Sequence, residues 1–281
     1  MKLNPQDNAG IRRYASSVIR KNRPQVMLAA LIVIGVNLLL QVCLTLIGVT
    51  GTPGEPPAVT LLSNVVTLLV SAPLQYGMYE LFIRLVRGEG GSAGDIFLWF
   101  SEGRRLKASL LGSLWFTLLA FCWLMLCMLP ALIVLTLLPS GTTLMTYYGG
   151  LLLIYLVVLA AALVGLAQIL PYMPGAFILA EDPSLPVVQS FSSACQNMKP
   201  FKRPFFRFYM VYVLQLVAVL VAITLFLAYA PLDAGLLSLL SLFLTSLASL
   251  WILPRMYMGG VCYYHAVFGL EVAAEDDSFT M

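Results

Sequence analysis

Apolar residues in this chain fall into runs of membrane length separated by short polar or basic stretches. A hydrocarbon layer of about 30 Å requires roughly 20 apolar residues per helix. Six runs meet that length: Val26 to Val49, Val59 to Met78, Leu106 to Leu138, Met145 to Ile169, Phe208 to Ala230 and Leu236 to Leu253. They predict an all-α, polytopic membrane protein with six transmembrane helices.

A second pattern, helical in period, precedes each odd-numbered span. In "IRRYASSVIRKNRP", Ile11, Tyr14, Ala15, Val18 and Ile19 share one face opposite Arg12, Arg13 and Arg20. In "AGDIFLWFSEGRRLK", Asp95 is placed to cap a short helix whose apolar face holds Ile96, Trp99 and Phe100. In "DPSLPVVQSFSSACQNMKPFKR", Ser184 is placed to cap a helix with Val187, Phe191, Cys195 and Met198 on one face. These read as amphipathic surface helices, each ending in a basic turn.

The even-numbered spans end alike. Pro73, Pro171 and Pro254 are followed after four or five residues by Gly77, Gly175 and Gly259, and Tyr76 and Tyr257 stand three residues after their prolines. A proline removes a backbone donor and kinks a helix, so this motif predicts helix ends at which the chain turns onto the membrane surface. The expected architecture is three repeats of an amphipathic surface helix plus a transmembrane hairpin, at about 10–88, 92–181 and 184–270. Residues 1–25 form a cytoplasmic N-terminal amphipathic segment, 26–270 the six-helix domain and 271–281 an acidic tail. All three copies start on one side, so a pseudo-symmetry axis lies along the membrane normal.

Composition agrees with this class. The 281 residues are 60% hydrophobic and 10% charged, with mean hydropathy +0.91, far from the quarter of charged residues of a soluble domain. The first span follows a basic stretch and lacks a small-residue cleavage site, so it reads as retained. Charge then sets orientation. Lys and Arg lie before the first span, between the second and third, between the fourth and fifth, and at the end of the sixth, whereas "GTPGEPP", "PSGTTL" and "PLDAG" carry none. Positive loops stay cytoplasmic, which predicts a multi-pass protein of the bacterial plasma membrane with both termini inside. Cys43, Cys122, Cys127, Cys195 and Cys262 are scattered, and His265 is the one histidine, so neither a disulfide framework nor a metal site is expected.

The stretches "PLQYGMYELFIRLVRGE" and "LPYMPGAFILAEDPSLPVVQSFSSACQNMKPFKRPFFRF" carry a family resemblance. With them the chain resembles the bacterial "domain of unknown function 975" family of integral membrane proteins. The resemblance implies a multi-span fold and no established activity. The long apolar segment from Leu129 to Leu170 and the tail "EVAAEDDSFTM" depart from the family pattern.

Catalytic chemistry is sparse. The sequence has no phosphate-binding Gly-rich loop, paired histidines or nucleophile elbow, so no enzymatic activity and no cofactor are expected. Glu80 and Arg84, four apart, form an exposed helix pair; Arg255 snorkels to the interface; His265 packs there among tyrosines. Small-residue stripes (Ser63, Thr67, Ser71; Ala161, Gly165; Ser241, Thr245, Ser249) predict a tight inner cluster of even spans, with odd spans facing lipid. Alternatively, these hydroxyls line a polar pathway with Asn64, Gln75 and Gln168.

Two functions follow. In the first, a non-enzymatic plasma-membrane protein binds anionic lipid, or a membrane-protein partner, through a basic cytoplasmic collar. Its headgroup candidates are Arg12, Arg13, Arg20, Lys21, Arg104, Arg105, Lys107, Lys202, Arg203 and Arg207, with Tyr14, Trp99, Phe100 and Phe191 as interfacial anchors. The alternative is a transporter or permease-like subunit for an apolar or weakly polar compound. Nucleic acid is not an expected partner, because topology already accounts for the positive charge.

Overall fold

The structure, a computed structural model, describes residues 2–47, 57–137, 144–229 and 234–273. The three connections without Lys or Arg and the tail beyond Ala273 lie largely or wholly outside the described residues. Every described element is helical: α1 (Asn8–Lys21), α2 (Arg23–Leu46), α3 (Pro57–Arg87), α4 (Leu98–Ser101), α5 (Gly103–Leu137), α6 (Leu144–Ile169), α7 (Pro174–Glu181), α8 (Val187–Met198), α9 (Lys202–Ala228) and α10 (Ala234–Phe268), with single 3-10 turns at Ala93–Phe97, Leu170–Tyr172 and Lys199–Phe201. Six of the described helical segments are long and apolar enough to cross a membrane.

The prolines do not act uniformly. Pro171 interrupts the fourth span in a 3-10 turn before α7. Pro73 and Pro254 instead sit inside α3 and α10, which continue unbroken to Arg87 and Phe268. The expected helix ends at Pro73 and Pro254 are therefore corrected. Each proline forfeits one backbone donor, but the residues that follow are packed into protein, which holds the helix on course. At 1.5 Å per residue, α3 and α10 are about 45 and 50 Å long, so both outrun the hydrocarbon layer.

Those continuations build the core. Leu74, Tyr76, Tyr79, Phe82 and Val86 of α3, Phe177 and Leu179 of α7, and Met258, Val261, Tyr263 and Tyr264 of α10 are all buried. Tyr79 meets Phe177 edge-on with ring centroids 5.0 Å apart, and packs on Tyr257 at 5.3 Å. By contrast Leu31, Leu39, Leu62, Leu118, Leu159, Leu214 and Leu247, within the apolar runs, are exposed. Such a band of leucine suits lipid rather than water. The even spans meet through their continuations α3, α7 and α10 at this end, but the expected inner cluster of even spans, with the odd spans facing lipid, is corrected for the membrane-length parts. Within the apolar runs α6 lies along α5, while α2, α3 and α10 pack together.

The amphipathic helices are turned into this core. Tyr14, Ile96, Trp99 and Phe191 are buried, so three of the four expected interfacial anchors (Tyr14, Trp99 and Phe191) pack against protein and Phe100 alone is exposed. The reason is the reach of α3 and α10 past the hydrocarbon, which offers these faces a protein surface. Two glycines permit the contact. A Cβ on Gly77 would lie 2.5 Å from the Ile96 carbonyl oxygen, and one on Gly175 would lie 2.8 Å from Phe191 Cα.

The capping residues differ from expectation. Ser92 caps the 3-10 turn, and Asp95 is its reciprocal partner, accepting the Ser92 N–H at 3.0 Å. Ser184 does not cap α8; its hydroxyl and N–H donate to Asp182 Oδ1 at 2.6 and 2.9 Å, which holds that carboxyl below its usual pKa. The N-terminus of α1 is capped by Asp7, which accepts the N–H groups of Ala9 and Gly10 at 3.1 and 2.9 Å.

Candidate functional site

The basic turns converge on the end of the molecule that holds the aromatic core. The Asn8 side-chain amide donates to the Pro204 carbonyl at 2.9 Å, the Tyr263 hydroxyl to the Pro5 carbonyl at 2.8 Å, and the Ala273 N–H to the Val86 carbonyl at 3.0 Å. The starts of α1 and α9 and the ends of α3 and α10 are thereby tied together.

Acidic side chains at this end sort the cations into two groups. Glu80, only 16% exposed at its side chain, pairs with Arg84, accepts the Trp99 indole N–H at 2.7 Å and accepts Arg105 at 2.9 Å. The expected exposed Glu80–Arg84 pair is therefore a shielded hub joining α3, α4 and α5. Arg105 also bonds Glu102 at 2.8 Å. Arg87 pairs with Glu181, which accepts the Tyr264 hydroxyl at 2.6 Å. Arg12 donates to the Asn8 carbonyl at 3.1 Å and lies 5.7 Å from the Phe208 ring, and Lys202 donates to Gln168 at 3.3 Å.

The remaining collar residues point outward. Arg13, Arg20, Arg104, Lys107, Arg203 and Arg207 are exposed and form no ion pair with the described residues; Lys21 is exposed as well. A few residues before Arg104 and Lys107 in the chain, Phe97, Leu98 and Phe100 are 48%, 42% and 40% exposed. The amphipathic reading gave Phe100; Phe97 and Leu98 emerge because Ile96 and Trp99 take the inward face. Arg255 lies 3.6 Å from the Trp251 ring centroid, a cation–π contact within α10, and His265 is buried against Tyr264 rather than at an interface.

A second feature lies among the spans. The α2, α3 and α10 helices line a cavity of about 330 Å³, open on one side, whose polar wall is formed by Asn37, Gln41, Ser71, Gln75, Thr245 and Ser249. Gln75 closes one end, its amide donating to the hydroxyls of Tyr79 and Tyr257 at 2.7 and 3.2 Å. Of the residues expected to line a polar pathway, Gln75, Ser71, Thr245 and Ser249 reach this cavity; Ser63, Thr67, Ser241, Asn64 and Gln168 do not. Asn37 and Gln41 were missed, although two amides four residues apart in an apolar helix were a readable signal.

The chain belongs to the family described as "Protein of unknown function (DUF975)", whose model matches residues 1–271. Comparisons with curated proteins and with solved structures gave no match.

Proposed function

We propose that this protein is a non-enzymatic component of the bacterial plasma membrane that binds anionic lipid headgroups through the outward-facing part of its basic collar. The supporting observation is the set Arg13, Arg20, Arg104, Lys107, Arg203 and Arg207, exposed without ion-pair partners among the described residues, together with the exposed Phe97, Leu98 and Phe100 that precede Arg104 and Lys107 in the chain. The two features are complementary. Each Lys or Arg at an anionic surface contributes about 1 kcal/mol, and apolar side chains beside it enter the headgroup region. The preference of positive loops for the cytoplasmic side supports a topology with both termini inside. The three-repeat reading fits the same picture, because Gly77 and Gly175 each receive the amphipathic segment that follows. A membrane-protein partner with an acidic face would use the same cations.

Purified protein in nanodiscs of graded anionic-lipid content tests the proposal. Thermal stability rises with anionic fraction, and the rise shrinks at high salt, which screens exposed charge over about 10 Å at 0.1 M. The double substitution Arg104→Gln/Lys107→Gln weakens that dependence while leaving stability in neutral lipid unchanged. Arg105→Gln lowers stability in every lipid, because it disrupts the Glu80 hub. Equal lipid dependence in the double variant and the parent would overturn the collar assignment.

A further inference from the structure

The cavity between α2, α3 and α10 lies at the level of the apolar runs. Ser249 and Thr245 lie within the uncharged run from Leu236 to Leu253, where no water is at hand to satisfy a polar group. Most of the polar lining is satisfied within its own helix. The Asn37 amide donates to the Val33 carbonyl at 2.7 Å, Thr245 to Ser241 at 2.8 Å and Ser246 to Leu242 at 2.8 Å, and Ser71 bonds the Thr67 carbonyl. With the hydroxyl donors spent, the Ser71, Thr245 and Ser246 side chains offer the cavity oxygen lone pairs, and Asn37 offers its carbonyl oxygen and one remaining N–H. The Ser249 hydroxyl differs, since it is half-buried, lines the cavity and has no hydrogen-bond partner among the described residues; the Gln41 amide, also on the wall, is exposed. A polar group without a partner in hydrocarbon costs several kcal/mol. The Ser249 hydroxyl is stable there when something in the cavity bonds to it.

The rest of the wall defines the occupant. Among the described residues no Asp, Glu, Lys, Arg or His lines the cavity, so a charged ligand would be left uncompensated at membrane depth. Val33, Ile34, Leu38, Leu242 and Leu253 provide an apolar side. A volume of about 330 Å³ falls within the range of small-molecule sites, roughly 300–1,000 Å³. We infer that the α2–α3–α10 cavity is a binding site for a neutral amphiphile, whose hydroxyl head bonds Ser249 and the neighbouring acceptors and whose chain lies on the Val33–Leu38 and Leu242–Leu253 side. The site is separate from the basic collar, and its occupant is neutral where the collar's is anionic.

The probes are 1-decanol, n-decane and decanoate, added to the full-length protein in nanodiscs of neutral lipid at pH 8, with thermal unfolding as the readout. Decanol raises the unfolding temperature in a saturable way; decane, which lacks the head, and decanoate, which is charged, do not. Ser249→Phe, which fills the cavity, abolishes the decanol shift. Ser249→Ala, which removes the hydroxyl with little change in volume, reduces it and serves if the larger substitution impairs folding. A decanol shift matched by decane, one that never saturates, or one that persists in both Ser249 variants overturns the site. Glycerol monooleate in place of decanol separates sources: a larger shift identifies a membrane glyceride as the preferred carrier of this chemistry, and a smaller one a simple long-chain alcohol.

Discussion

The indole N–H of Trp99 donates to Glu80 Oε2 at 2.7 Å, and the same oxygen accepts Arg105 at 2.9 Å. Through this carboxylate, α3 holds both the segment that precedes the third span and the basic turn that opens it. Trp99 is fully buried and lies tilted against Tyr76 with ring centroids 5.4 Å apart, so the hydrogen bond is sheltered by aromatic packing.

Trp99→Phe keeps most of the ring but removes the donor. A hydrogen bond to a charged group is worth about 1.5–3 kcal/mol, and the smaller ring adds a packing loss. Thermal unfolding in detergent is expected to fall by several degrees. Phe100→Ser, on the exposed side of the same segment, leaves it unchanged. If both variants melt alike, the inward assignment of Trp99 is wrong.

Gly77→Ala sets two effects against each other. Alanine favours a helix over glycine by about 1 kcal/mol, but here its Cβ would lie 2.5 Å from the Ile96 carbonyl oxygen and 2.7 Å from Ile96 Cα, both backbone atoms. Overpacking of this kind costs about 1–3 kcal/mol, so the variant is expected to be destabilised. Gly35→Ala in α2, with nothing within 4 Å of the new methyl, is expected to be neutral or better. The difference between the two melting temperatures is the measurement.

Cysteines introduced singly at Gly103 and Lys199, with the five native cysteines replaced by alanine, report the orientation. An impermeant thiol reagent is expected to miss both in intact cells and to modify both after permeabilisation. Modification at either position in intact cells would reverse the topology, and with it the side on which the collar lies.

The family membership, the all-helical class and six membrane-length segments were legible from the sequence alone. Hydropathy is a sum over consecutive residues, and a hydrocarbon layer reads that sum directly. The apolar face of α1 was legible for a related reason: helical period places Ile11, Tyr14, Ala15 and Val18 together whatever they pack on. What they pack on was not legible. Proline chemistry suggested a turn at Pro73 and Pro254, but whether a helix survives a missing N–H depends on the packing beyond it, and that packing comes from remote elements.

Tertiary structure likewise decided which cations are free. Arg104 and Arg105 are neighbours in the chain with the same charge, yet Arg105 reaches Glu80, 25 residues away, and Arg104 faces outward. Arg87 finds Glu181 across 94 residues. The cavity has the same origin, since Gln75 and Tyr257 meet across 182 residues. The sequence by itself determined how much of the chain enters a membrane and where its charge accumulates, because these follow from transfer free energies added along the chain. Which carboxylate shields which arginine, and which hydroxyl is left facing a cavity, was decided only in the fold, because hydrogen bonds and ion pairs act over about 3 Å and join residues that only packing brings together.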